Sequence, residues 1–206
     1  MKKIILLTGI VLIAVFGYRF YLASQDHYEP EVHVHSDIAL YVNDQKVDLA
    51  VEQYQSSVGN IKSEDIHLHD RNGKVVHRHA KGITFVEFIN SLGYTLTNDC
   101  LTTDIGQQYC NTATTSVALY VNDTRIEDIA SYITQEEDKI LLTVGEKDKN
   151  LKEQLASVTD EACIPSGTCP ERGVPVVETC GLTCDVTFTP PPTLKQKLLF
   201  VFTGHY

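Results

Sequence analysis

The hexapeptide Ala39-Leu40-Tyr41-Val42-Asn43-Asp44 returns as Ala118-Leu119-Tyr120-Val121-Asn122-Asp123, and the likeness continues from Val47-Asp48 to Ile126-Glu127. In each copy a β-prone run meets an Asn-Asp pair, which tolerates the left-handed backbone of a tight turn. Each therefore predicts a strand, a turn and a second short strand, that is, a β-hairpin. Two copies are too few for a solenoid. Between them, Thr84 and Glu87 have capping-box spacing, Ile83 and Phe88 can staple the helix start, and Gly93 suits its end. Phe85, Phe88, Ile89 and Leu92 recur at helical spacing. Ile140-Leu141-Leu142-Thr143-Val144 reads as a buried strand ending at Gly145, and Lys147 to Val158 as a short amphipathic helix with Leu151, Leu155 and Val158 inward.

Lys2 and Lys3 precede an apolar run from Ile4 to Ala23. As a helix, about 20 residues reach about 30 Å, the thickness of a bilayer core. The basic flank keeps the N-terminus cytoplasmic and sends the rest outward. Arg19 can snorkel, and Tyr18, Phe20 and Tyr21 suit an interfacial belt. A cleaved signal peptide is the rival, but cutting after Ala23 or Ser24 would put Tyr21 or Leu22 where a small residue is needed. The expectation is a single-pass anchor in the cell membrane with an extracytoplasmic C-terminal domain. Cysteine usage agrees: the six cysteines, Cys100, Cys110, Cys163, Cys169, Cys180 and Cys184, read as three disulfides of an oxidising compartment. Six cysteines allow 15 pairings, and if Cys100–Cys110 closes its local loop three remain for the other four. A four-cysteine zinc site within 163–184 is the alternative for the rest.

Past Thr159 the chain changes character, with four of the cysteines and most of the seven prolines falling within 159–192. Turn formers at that density leave few positions for a packed core. The expected organisation is an anchor (1–25), a histidine-bearing β region (26–80), an α+β region (81–158), a disulfide-rich appendage (159–192) and an amphipathic tail (193–206). The fold class expected is α+β: antiparallel hairpins, one packed helix, an N-terminal transmembrane helix and a disulfide-rich C-terminal appendage.

Of eight histidines, six form His-x-His pairs: His33/His35, His67/His69 and His77/His79. Each pair sits in a β-like run, where residues i and i+2 share a face about 7 Å apart. Two imidazoles so placed can converge on one cation, and neutral imidazole suits Zn²⁺ and Cu²⁺. The turn between the second and third pairs, Asp70-Arg71-Asn72-Gly73-Lys74, decides whether they meet. A two-residue Asn72-Gly73 turn would send the pairs to opposite faces. A type I turn over Asp70 to Gly73 with a bulge sets His67 opposite His77 and Asp65 opposite His79, and is the turn expected. The metal ligands expected are His67, His69, His77 and His79, with His33 and His35 completing that site or forming a second. Asp37, Asp65 and Asp70 are the expected partners fixing imidazole tautomers. The ion is zinc or copper. A solvated sheet face and a pH-sensing cluster are the non-metal readings.

Lys and Arg total 17 against 27 Asp and Glu, a formal charge of −10, which disfavours nucleic acid. No Gly-rich nucleotide loop, nucleophile elbow or C-x-x-C is present. A zinc-dependent hydrolase or lyase, with Asp70 or Glu64 as base, is the enzymatic alternative; a non-catalytic cell-envelope module is the other. Glu136-Glu137-Asp138 reads as a solvated turn, and His27 and His205 as isolated residues.

From Gly82 to Gly145 the helix ending Leu92-Gly93, the strand Leu119-Tyr120-Val121-Asn122 and the run Glu137-Asp138-Lys139-Ile140-Leu141-Leu142 resemble a β-grasp module of the transcobalamin C-terminal-like kind. The resemblance implies a β-grasp-like fold that binds ligands or partners without catalysis. His33-x-His35-x-Asp37 is similar to a metallo-β-lactamase-type motif, but the chain lacks that fold's length and further ligands. The whole chain, with its apolar leader, His-x-His pairs and Cys169-Pro170-Glu171-Arg172-Gly173, resembles small membrane-anchored histidine-rich proteins of minimal-genome bacteria and archaea. They have no assigned activity, so no catalytic residue is carried over.

Overall fold

Strand β1, Val34–Val42, is an inner strand of the main sheet in the computed structural model, which describes Tyr18 and residues 32–175. All but Tyr18 belong to one compact unit, Glu31–Val186. Apart from Tyr18, the expected anchor lies outside the described residues, as do Cys180, Cys184, the tail, His27 and His205. Among the described residues no helix is long and apolar enough to cross a membrane.

Both copies of the repeat form hairpins. β1 turns through Asn43 and Asp44 (φ 51° and 66°) into β2, Gln45–Lys46. β8, Thr115–Val121, turns through Asn122 and Asp123 (φ 50° and 63°) into β9, Thr124–Ile126. Two successive left-handed residues match the twist of the flanking strands, which is why Asn and Asp occupy these corners.

The hairpins do not pair directly. β10, Lys139–Glu146, lies between β1 and β8, parallel to β1 and antiparallel to β8. β3, Ile66–His67, and β4, Val75–Arg78, extend the sheet beyond β1, giving the order β3-β4-β1-β10-β8-β9 with β2 on the far end of β1. A three-stranded sheet follows from β5, Thr95–Leu96, β6, Cys100–Thr102, and β7, Gln108–Cys110. The Cys100–Cys110 disulfide joins β6 to β7.

The α+β, β-grasp-like expectation is thereby corrected. Among the described residues strand accounts for 32% against 12% helix, the main sheet curls into a half-barrel, and its central pair is parallel. The physical reason is two-sided burial. Ile38-Ala39-Leu40 and Ile140-Leu141-Leu142 are buried without alternation, as strands covered on both faces must be. One face carries the main core, where Ile38, Leu40, Ile140 and Leu142 meet Phe85, Phe88 and Ile89. Each such side chain contributes about 1.5–3 kcal/mol on burial. The phenylalanines come from helix α1, Phe85–Ser91, whose Thr84–Glu87 capping box forms as the spacing requires. The other face holds a smaller cluster of Ala39, Ala118, Tyr120 and Leu141. Leu151, Leu155 and Val158 pack there, from helix α2, Leu151–Ala156, and the residues after it.

Residues 159–175 also cover that second face. Asp37, 1% exposed, accepts hydrogen bonds from Thr159 Oγ1, Glu161 N (2.7 Å) and Ala162 N (3.0 Å). Cys163 pairs with Cys169, so these two cannot belong to a four-cysteine zinc site. Among the described residues no cysteine is free. The two disulfides fit an oxidising, extracellular environment.

Candidate metal centre

Period-2 geometry sorts β1 into two rows. Ile38, Leu40 and Val42 belong to the main core. His33, His35, Asp37, Ala39 and Tyr41 alternate with them and take the other face. The same alternation in β3 and β4 sends Ile66, Leu68 and Val76 into the core and His67, His69, His77 and His79 to the histidine face. Arg78, between two histidines, points back to the core side and donates to Thr134 O (3.0 Å) and Ala80 O (2.7 Å). Burial holds its pKa below the ordinary arginine value.

Register then brings the three pairs together. His35 stands opposite His77, and His77 opposite His67, so β4 carries the shared row between its neighbours. Asp65 meets His79 through the bond from His79 N to Asp65 O, 2.7 Å. This is the expected register, reached by a different turn. The left-handed residues are Asp70 and Arg71 (φ 56° and 57°), closed by Asn72 N on His69 O at 3.0 Å. Gly73 has another task. A Cβ there would lie 2.4 Å from Ala50 N and 2.7 Å from Leu49 C, so the hairpin is seated on the 49–50 backbone.

The six rings form a closed circuit. Centroid separations are 4.5 Å for His33–His35, 4.8 Å for His35–His77, 4.0 Å for His77–His69, 5.6 Å for His69–His67, 5.0 Å for His67–His79 and 4.6 Å for His79–His33. This is no solvated sheet face: His35, His67, His69 and His77 are at most 4% exposed. His33, His35 and His77 each offer a ligand atom within 4.8 Å of the other two. An ion about 2.0–2.1 Å from each nitrogen would draw them to about 3.3 Å, within reach of side-chain rotation. The expected quartet shares only His77 with this triad.

Partners outside the ring fix tautomers. Ser63 O can only accept, so the 2.7 Å contact from His67 Nδ1 places the proton on Nδ1 and the lone pair on Nε2. Asp70 Oδ2 does the same for His69 at 2.9 Å. His35 Nδ1 donates to Ser166 Oγ (3.0 Å), and Ser166 donates to Glu136. Glu136 also accepts from His35 N at 3.1 Å. Burial alone would raise the Glu136 pKa, but the hydrogen bonds from His35 and Ser166 outweigh it and hold the carboxyl below its usual value. Second partners of this kind orient metal-binding imidazoles.

Of the aspartates expected to do this, Asp70 does so for His69. Asp37 instead anchors residues 159–162, and the Asp65 carbonyl accepts from the His79 backbone amide rather than from a ring. Ser63, Glu136 and Ser166 escaped the sequence reading. Glu136, its side chain 43% exposed, still accepts from the His35 backbone amide, while Asp138, 6% exposed, accepts from Tyr132 OH, Gln135 N and Asn122 Nδ2. No local signal distinguished this run from a solvated turn, because the partners lie far away in sequence.

A cavity of about 150 Å³ opens beside the ring, lined by His69, His77, Asp70, Glu161 and Ile164 among others. Glu64 is exposed and not among its lining residues. Compared with protein-family models, curated proteins and solved structures, the chain matches none.

Proposed function

We propose that this chain is a membrane-anchored, extracytoplasmic protein that binds a transition-metal ion, zinc or copper, through its His-x-His pairs. The observation that carries the reading is the triad of His33, His35 and His77, the last two buried, with ligand atoms within 4.8 Å of one another. Neutral imidazole presents one lone pair, and three or four on one ion satisfy zinc or Cu(II) without thiolates. The anchor is the apolar segment 4–23, and the partners are the membrane and the ion; nucleic acid has no place on so acidic a chain.

A zinc-dependent hydrolase is the second reading. The cavity beside His69 and His77 favours it, since a catalytic ion keeps one position open to substrate and Asp70 stands nearby as a base.

The test is metal content of the full chain, purified in detergent without a polyhistidine tag. The expected result is at least one zinc or copper per chain, lost on dialysis against a chelator and restored by the ion. His77→Ala, which removes the ring common to all three strands, lowers the affinity at least tenfold. A chain that stays metal-free at ion concentrations far above micromolar overturns the proposal.

A further inference from the structure

We propose that the imidazole circuit holds two ions side by side, one on His33, His35 and His77 and the other on His67, His69 and His79. This rests on the metal-binding reading above and adds the second ion and its nearness to the first.

Six imidazoles are more than one ion uses, because zinc takes about four ligands and Cu(II) four strong ones. Ring spacing permits a division into two sets of three. With nitrogens about 2 Å from an ion in tetrahedral array, ring centres stand about 5 Å apart. The first triad shows 4.5, 4.8 and 6.2 Å. In the second, His67 stands between its partners, 5.6 Å from His69 and 5.0 Å from His79, and these rings must close further on an ion than those of the first, whose ligand atoms already lie within 4.8 Å of one another. Three nitrogens of that triad are buried: Nε2 of His67 and His69 and Nδ1 of His79. Ser63 O and Asp70 hold the protons of His67 and His69 on Nδ1, so Nε2 carries the lone pair in both. The His67 and His69 ligands of the second triad thus have the same outward-held Nδ1 as His35 in the first.

The triads touch. His33 lies 4.6 Å from His79, and His69 lies 4.0 Å from His77, each contact joining one triad to the other. The 150 Å³ cavity reaches His77 of the first and His69 of the second, so it opens at the seam. Two Cu(II) ions held so would sense each other magnetically.

The experiment titrates the full untagged chain in detergent with Cu(II) and reads bound copper and the electron paramagnetic resonance spin count together. The expected result is two copper ions per chain with a spin count well below two, or a half-field transition. His79→Ala leaves one ion and restores a full single-ion signal. Because His79 is only half-buried, that variant keeps its thermal unfolding transition; His67→Asn is the second variant and gives the same loss. One ion per chain in the unaltered protein overturns the pair while leaving the single-site reading standing. Two ions with a full, uncoupled spin count overturns the shared centre. No bound copper or zinc overturns both readings.

Discussion

Asp37→Ala tests how the second face of the sheet is closed. The carboxylate is 1% exposed and accepts three hydrogen bonds from residues 159–162, two of them from backbone amides. A hydrogen bond to a charged group contributes about 1.5–3 kcal/mol, and a buried donor left without an acceptor costs about 1–3 kcal/mol. The three donors share one carboxylate and do not add, and Glu161 is partly exposed, so Asp37→Ala should cost about 3 kcal/mol. Asp37→Asn keeps one oxygen but turns an amide donor toward a donor, and should cost about 2 kcal/mol. For a domain of this size each kcal/mol moves Tm by about 2–4 °C, so the alanine variant should melt about 6–12 °C lower. The assay is thermal unfolding by circular dichroism beside metal affinity. The Tm falls in both variants, alanine further, while the intrinsic affinity of the folded protein changes less than tenfold. If Asp37 instead oriented an imidazole, affinity would collapse at unchanged Tm, and that result would refute the assignment.

Three further outcomes follow from particular contacts. Gly73→Ala drives a Cβ into the Ala50 backbone, should cost about 1–3 kcal/mol and should weaken metal binding by shifting the β3–β4 register; a variant with unaltered Tm and affinity contradicts the seated hairpin. Glu136→Ala, read by competition with a chromogenic chelator, should lower affinity about tenfold or more by releasing the Ser166–His35 relay, and an unchanged constant would show that the relay does not orient His35. Burial, the largest cause in each, raises the pKa of Tyr54, Tyr94, Tyr120 and Tyr132. A raised folded pKa gives stability that is complete below the unfolded value near 10 and lost as pH climbs beyond it. Absorbance at 295 nm should therefore show these four of the ten tyrosines still protonated above pH 10 until the fold opens, and reversible titration of all ten near pH 10 in an intact fold would contradict it.

Local patterns in the sequence carried local structure well. The Asn-Asp corners, the Thr84 capping box and the buried strand at Ile140 depend on residues within a few positions of each other, and all form, as does the Cys100–Cys110 closure across ten positions. His67 opposite His77 was legible because hairpin length fixes register. The turn conformation was not: Gly73 is small because Ala50 lies against it, a contact made more than twenty positions back in the chain. The parallel β1–β10 pair and the covering of the histidine face by residues 159–175 are likewise long-range. Leu151 and Leu155 revealed an apolar stripe without revealing the sheet face it meets, and Asp37 looked like an imidazole's partner because its spacing from His35 is the same as that of His35 from His33.

The most direct test of the central claim is the ligand environment of the bound ion by X-ray absorption on the full untagged chain loaded with zinc or copper. Imidazoles from neighbouring strands sharing an ion predict a first shell of three or four nitrogens near 2.0 Å, with the multiple-scattering pattern of rigid rings, that loses ring scattering in His77→Ala. A shell of oxygens without ring scattering, or one containing sulfur near 2.3 Å, would place the ion elsewhere and contradict the account.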